Sequence, residues 1–221
     1  MTTNRKTGRI IGILYIIGTV SGILSVALTG TISNSAEYFV QIASTPNQFA
    51  LGTLFILLMG FSLAFIPIIL YPILKKQNEI LALGYVIFRG ALETFTYIAV
   101  CISMLMLLKV GQNYVVNSDA QQLENASFLV SKFRELNTLG IIFVFSIGAL
   151  MFYTVLYQSK LIPRWLSMWG IIAIVLHLIT GIFIMFEWQT ETSLSNTLMN
   201  FPIFSQEMVM AIWLIVKGLN K

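Results

Sequence analysis

The chain has 221 residues, of which 57% are hydrophobic and only 10% are charged. A soluble domain carries roughly 25% charged residues because its surface must be hydrated, so we expect most of this surface to face lipid. The net charge is +4, but the Lys and Arg residues stand mostly at the ends of apolar runs. That placement indicates membrane orientation and argues against a nucleic-acid-binding face.

Six apolar stretches are long enough to cross a hydrocarbon core of roughly 30 Å, which takes about 20 helical residues. They cover residues 10–31, 49–74, 80–108, 138–158, 165–186 and 199–217, with ends approximate by a few positions. We therefore predict an all-α bundle of six transmembrane helices, forming one membrane domain over residues 1–221. The first stretch exceeds the roughly 7–15 apolar residues of a signal peptide, so we predict that it is an uncleaved span.

The basic residues in the connections predict the orientation of the bundle. Nine of them fall on the side of the termini: Arg5, Lys6, Arg9, Lys75, Lys76, Lys160, Arg164, Lys217 and Lys221. Only three, Lys109, Lys132 and Arg134, fall on the other side. Because cytoplasmic connections carry the excess of Lys and Arg, we predict that both termini are cytoplasmic.

The longest connection, residues 109–137, contains a helical pattern. Asp119 and Gln122 are spaced as in a capping box. Apolar residues then recur at helical spacing at Leu123, Val130 and Phe133. We predict an amphipathic outer helix over residues 119–135, which either packs on lipid and helix ends or covers a cavity.

Four ionisable residues lie inside the predicted spans, where burial is costly: Arg89, Glu93, His177 and Glu207. At about 1.5 Å of rise per residue, the two carboxylates and the imidazole each lie about 18 Å from the cytoplasmic side. Arg89 and Glu93 are four residues apart and share a helix face with Tyr97. Glu207 has no local partner, so we expect it to reach Arg89 or His177, to reach water, or to stay protonated.

These observations leave two interpretations open for Arg89, Glu93, Tyr97, His177 and Glu207. They form either a ligand or proton site, or a purely structural polar network that ties the helices together. For His177 alone, a hydrogen bond to a neighbouring helix is the favoured role. The sequence has one histidine and one cysteine and no nucleophile-elbow or phosphate-loop motif. We therefore assign no catalytic residue, expect no metal or cofactor, and do not expect an enzyme.

Anchor residues spread along the chain resemble the bacterial membrane family called domain of unknown function 4386. They are Arg9-x-x-Gly12-x-Leu14-Tyr15, Tyr71-x-x-Leu74-Lys75, Phe88-Arg89-x-x-x-Glu93, Leu161-Ile162-Pro163-Arg164-Trp165-Leu166 and Glu207-x-x-x-Ala211-x-Trp213-Leu214-x-x-Lys217-Gly218. The resemblance implies a multi-pass protein of the bacterial cytoplasmic membrane with no assigned activity. It supplies no catalytic residues.

Three functions are compatible with this sequence. The first is binding or translocation of a small ligand through a polar pocket inside the bundle, coupled to protons through Glu93, Glu207 and His177. The second is a non-catalytic accessory, sensory or protective membrane subunit. The third, least favoured because motifs are missing, is an intramembrane enzyme acting on lipid. The expected partners are the lipid bilayer and a small-molecule or lipid ligand. A water-lined cavity at the two carboxylates favours the first function, and a groove open to lipid favours the third.

Overall fold

The computed structural model describes residues 3–33 and 35–220. The elements there are α1 (Thr3–Thr29), α2 (Ala36–Ser44), α3 (Pro46–Leu74), α4 (Glu79–Tyr85), a π-helical segment (Val86–Leu92), α5 (Glu93–Asn117), α6 (Ala120–Ser159), α7 (Arg164–Met185) and α8 (Leu194–Val216). α4, the π segment and α5 form one continuous third span, Glu79–Asn117. Six helices are therefore long and apolar enough to cross a membrane, and the predicted all-α six-helix membrane bundle is confirmed.

The six spans form a closed ring in chain order. Each span packs against the next along the chain, and α8 returns to pack against α1. Gly12 permits this closure, because a Cβ at that position would lie 2.5 Å from the Ala211 carbonyl oxygen of α8. In a ring of six, the third span lies opposite the sixth, so a contact between them must cross the centre.

The two ends of the ring differ. The terminal end carries both termini, and there the backbone N–H of Asn220 donates to the Leu161 carbonyl at 2.8 Å. The loop end carries α2, the α5–α6 turn and the α7–α8 connection. One buried apolar cluster, which includes Leu74 and Tyr153, extends from the terminal end. A second cluster, which includes Phe39 and Leu107, lies toward the loop end.

The outer surface of the ring is apolar at the depth of the spans. Phe65, Phe95, Ile172 and Ile212 each leave more than half of their surface exposed. Such an exposed apolar surface, far larger than a monomeric soluble protein shows, indicates lipid contact. The helical hydrogen bonds satisfy the backbone internally, as the hydrocarbon layer requires.

Two features at the loop end differ from the sequence-based boundaries. The third span continues to Asn117, beyond its predicted end at 108, and α2 occupies a connection with no predicted helix. The side chain of Ser35 caps α2 by accepting the backbone N–H of Tyr38 at 3.3 Å. Phe39 and Ile42 of α2 are buried against the second core cluster. α2 is thus held by packing, which a nine-residue segment cannot show by length or hydropathy.

The predicted outer helix is present, but it is part of a longer element. α6 begins at Ala120 and continues without a break into the fourth span. Asp119 caps it by accepting the backbone N–H of Gln122 at 3.0 Å. Leu123 and Val130 are buried, whereas Glu124 and Phe133 are exposed. The 40-residue helix therefore has an amphipathic outer part and a membrane-crossing inner part.

Candidate functional site

Arg89 lies in the middle of a π-helical segment, Val86–Leu92. At its end the backbone N–H of Glu93 donates to the Phe88 carbonyl, five residues back. Single π turns interrupt α-helices rarely and occur often at functional sites. Spacings of three and four residues in a sequence correspond to a regular α-helix, which has no π turn. The π segment was therefore not predicted.

Gly148 of α6 packs directly on the π segment. A Cβ at that position would lie 3.0 Å from the Cβ of Phe88 and 3.1 Å from the backbone nitrogen of Arg89. Both contacts are tighter than an ordinary van der Waals separation. The absence of a side chain at Gly148 therefore allows α6 to support the widened turn that carries Arg89.

Arg89 joins two carboxylates from different spans. Its Nη1 donates to Glu93 Oε1 at 2.6 Å and to Glu93 Oε2 at 2.9 Å. Its Nη2 donates to Glu207 Oε1 at 2.9 Å. Tyr97 adds a fourth hydrogen bond, donating its hydroxyl to Glu93 Oε1 at 3.1 Å. We call Arg89, Glu93, Tyr97 and Glu207 the central cluster.

The two carboxylates of the central cluster differ in exposure. The side chains of Arg89 and Glu93 are 4% and 2% exposed, whereas the side chain of Glu207 is 18% exposed. One guanidinium facing two carboxylates leaves one negative charge unbalanced when all three groups are ionised. A proton or a cationic group can neutralise that charge, and Glu207 is the more accessible place for it.

Buried aromatic and amide side chains surround the central cluster. The guanidinium carbon of Arg89 lies 4.2 Å from the centre of the Phe145 ring, a cation–π arrangement. Tyr153 donates its hydroxyl to Gln206 Oε1 at 2.6 Å. The amide of Gln206 donates to the Leu166 carbonyl at 3.1 Å. Gln206 is fully buried. In the sequence it is recognisable only as the polar neighbour of Glu207 within an apolar run.

His177 does not join the ion pairs of the central cluster. Its Nδ1 lies 2.6 Å from Oδ1 of Asn200, and because that oxygen only accepts, the Nδ1 atom must carry the proton. The amide of Asn200 donates to Asn196 Oδ1 at 2.9 Å, and the amide of Asn196 donates to the Glu191 carbonyl at 2.6 Å. This polar column connects His177 to the α7–α8 connection at the loop end.

Phe145 is the contact between the polar column and the central cluster. Its ring centre lies 5.1 Å from that of His177, nearly perpendicular to it, and 4.2 Å from the guanidinium carbon of Arg89. The ring is buried. His177 and Arg89 therefore meet through an aromatic side chain, without a hydrogen bond between them in the described structure.

The clefts that stand out on the described residues lie away from the central cluster. A polar cleft at the loop end has a volume of about 720 Å³ and includes Arg134 and Glu191 in its lining. An apolar groove on the outer side of α8 is lined by Val209 and Trp213 among others. Over residues 3–33 and 35–220, no group of three or more His, Cys, Asp and Glu side chains converges as metal ligands do.

Comparison with known proteins identifies the family and no activity. No curated protein and no solved structure matches the chain. The sequence model of the family described as domain of unknown function (DUF4386) matches residues 10–218, nearly the whole chain. The chain therefore belongs to this family of unknown function, as its anchor residues suggest.

Proposed function

We propose that this protein binds a small ligand inside the helix bundle at the central cluster, and that proton uptake or release at Glu207 accompanies binding or translocation. The observation that supports this proposal is the joining of Arg89 to two carboxylates at the centre of the ring. A structural ion pair needs one carboxylate. The second leaves a negative charge that a cationic ligand or a proton can neutralise.

The π segment adds a second reason. A widened turn interrupts regular α-helical hydrogen bonding and is often found at functional sites. Here it carries Arg89, and Gly148 packs against it without a side chain. Both features favour a guanidinium held in a fixed orientation, which a ligand site requires.

We propose a route to this site from the loop end. The polar column of His177, Asn200 and Asn196 leads from the α7–α8 connection to the buried ring of Phe145. In this proposal, rotation of that ring opens a path between His177 and Arg89. In this proposal Phe145 separates the two polar regions in the closed state, and the loop end faces the outside of a bacterial cytoplasmic membrane. The nine basic residues on the terminal side support that orientation.

The proposal is tested by screening a library of small cationic and zwitterionic metabolites against the purified protein in nanodiscs. A compound that binds at the central cluster should raise the melting temperature of the wild type but not that of Glu207→Gln. The matched control is Glu79→Gln, because Glu79 is exposed at the start of α4 and lines neither the polar cleft nor the apolar groove. That variant should respond as the wild type does. If every compound that stabilises the wild type stabilises Glu207→Gln equally, a site at the central cluster is contradicted.

A non-catalytic accessory role is the second candidate, and two observations favour it: the clefts described above lie away from the central cluster, and the carboxylates of the cluster are already hydrogen-bonded. Both oxygens of Glu93 and Oε1 of Glu207 already accept hydrogen bonds within the cluster. A set of buried charged groups that are hydrogen-bonded to one another can have the sole role of fixing how the helices assemble. A library in which no compound distinguishes the wild type from Glu207→Gln would favour this role.

A further inference from the structure

The polar cleft at the loop end is lined by charged residues that do not belong to the central cluster. It lies between the outer part of α6, the α7–α8 connection and residues 32–33, with a volume of about 720 Å³. Two cations, Lys132 and Arg134, line it together with Glu135, Glu187 and Glu191. Lys132 pairs with Glu135 at 2.7 Å, which leaves Arg134 as the other cation of the cleft.

Three polar atoms around this cleft are buried without a hydrogen-bond partner among the described residues. Two belong to residues that line the cleft, Nη1 of Arg134 and Oε1 of Glu191, and the third is the hydroxyl of Tyr38, which is not part of the lining. Arg134 makes no ion pair within 4.0 Å in the described part of the chain, and neither does Glu191. The hydroxyl of Thr138 lies beside both groups: it donates to the backbone carbonyl of Arg134 at 3.0 Å, and it also interacts with the carboxylate of Glu191.

Native proteins rarely leave buried polar atoms without partners, and each exception calls for an explanation. Here a donor and an acceptor of opposite charge line one cleft and do not pair with each other. Tyr38 lies behind Arg134, close enough to interact with it electrostatically. Burial raises the pKa of the Tyr38 hydroxyl to about 12, so this group is a neutral donor beside the guanidinium.

We propose that this cleft binds a zwitterion of the phosphoethanolamine type, with its phosphate on Arg134 and its ammonium on Glu191. A guanidinium binds phosphate through paired N–H donors. A carboxylate with a free oxygen matches an ammonium group. Among the described residues, no three or more His, Cys, Asp and Glu side chains come together as metal ligands do. An ammonium group therefore fits the acidic side of the cleft better than a metal ion does.

The position of the cleft explains how such a molecule would reach it. Arg134 stands four residues outside the predicted start of the fourth span, about 6 Å along the helix axis. Phe186 and Trp188 are more than half exposed beside it, as aromatic residues at the membrane interface are. The cleft therefore lies at the level of lipid headgroups. The same groups occur in an aminophospholipid headgroup and in a soluble phosphoamine, and the experiment separates these sources.

The inference is independent of the central cluster, since none of its residues belongs to that cluster. The first measurement titrates soluble phosphoethanolamine into the wild-type protein in phosphatidylglycerol nanodiscs by calorimetry. Inorganic phosphate and ethanolamine are the matched probes. Phosphoethanolamine should bind at least about tenfold more tightly than either probe, because only it engages both charged groups. Equal binding of the three compounds, or no binding of phosphoethanolamine, would overturn the proposal without reference to any variant.

The second measurement uses variants of the cleft. Arg134→Gln and Glu191→Gln should each weaken phosphoethanolamine binding by about tenfold or more, since each removes one charge contact. Lys109→Gln is the matched control, because Lys109 is an exposed cation that bonds to Gln112 and does not line the cleft. It should change the affinity less than about threefold. Circular dichroism verifies that each variant is folded, and a folded Arg134→Gln protein with wild-type affinity would overturn the proposal.

The third measurement identifies the source of the ligand. If the lipid headgroup occupies the cleft, phosphatidylethanolamine nanodiscs should raise the melting temperature and abolish binding of soluble phosphoethanolamine. If a soluble compound is the ligand, that lipid should change neither quantity. A rise in melting temperature that Arg134→Gln and Glu191→Gln both retain would contradict binding in this cleft.

Discussion

Arg89 and Glu207 meet across the centre of the ring, with 2.9 Å between Nη2 and Oε1. They belong to the third and sixth spans, which lie opposite each other in the closed ring. Glu93 occupies the other side of the same guanidinium. One residue thus joins its own span to the opposite one.

Removing Arg89 alone should harm the protein more than removing the whole charged set. Arg89→Leu leaves two buried carboxylates without a cation, which costs about 3–5 kcal/mol. Adding Glu93→Gln and Glu207→Gln to Arg89→Leu removes those charges, so the triple variant should recover part of the folded yield. The yield of folded protein from size-exclusion chromatography in detergent is measured for Arg89→Leu and for the triple variant.

Lys132→Leu is the matched control for Arg89→Leu. Lys132 also pairs with a carboxylate at 2.7 Å, but both side chains of that pair are about half exposed. Exposed ion pairs contribute only about 0–1 kcal/mol, so the folded yield should hardly change. A triple variant with no more folded protein than Arg89→Leu would contradict the pairing of the two carboxylates with Arg89.

Two glycines of α6 offer a matched test of the π segment. Gly148→Ala places a methyl group about 3 Å from Phe88 and Arg89, so it should destabilise the protein by about 1–3 kcal/mol. At Gly140 an added Cβ meets nothing within 4 Å. Gly140→Ala should be neutral or stabilising by up to about 1 kcal/mol, because alanine favours the helix. Equal melting temperatures for the two variants would show that α6 does not support the π segment.

Cysteine labelling tests the proposed orientation. Cys101 is buried, so Cys101→Ala gives a background with no native thiol. In that background Gln121→Cys should react with an impermeant maleimide in intact cells, since Gln121 is exposed at the loop end. Gln77→Cys, exposed in the α3–α4 turn at the terminal end, should react only after permeabilisation. The reverse pattern would place the termini outside.

The pH dependence of stability should reveal Glu191. Burial and the neighbouring carboxylate of Glu135 raise the pKa of Glu191 in the folded protein. Because the folded-state pKa is raised, the contribution of Glu191 to stability is greatest at a pH below its unfolded-state pKa. This contribution is lost as the pH rises through its folded-state pKa. The melting temperature should therefore fall as the pH rises from the unfolded-state pKa of Glu191 to its folded-state pKa. The variant Glu191→Gln should show a smaller fall. Identical pH profiles for the two proteins would show that Glu191 is not buried as described.

The spans and the charged members of the central cluster follow from the sequence, because long apolar runs and ionisable residues within them are local signals. Arg89, Glu93 and Glu207 stand out in this way. The geometry that joins them is not local. The meeting of Arg89 with Glu207 depends on ring closure between α1 and α8, and the π segment lies where Gly148 packs.

Short and uncharged elements escaped sequence analysis for the same reason. α2 has only nine residues, and it is held against the second core cluster by Phe39 and Ile42. Gln206 and Asn200 carry no charge, so their burial costs less and gives a weaker signal in an apolar run. His177 was expected to bond a neighbouring helix, and the structure places its partner at Asn200 of α8.

A double-mutant cycle between Arg89→Gln and Glu207→Gln tests most directly that the ring is joined through its centre. Unfolding free energies of the wild type, both single variants and the double variant are measured in the same detergent. Residues in one ion-pair network show coupling energies of about 0.5–3 kcal/mol, and we predict a value above about 1 kcal/mol for this buried pair. Additive effects, within about 0.5 kcal/mol, would contradict the contact between Arg89 and Glu207 on which the central cluster depends.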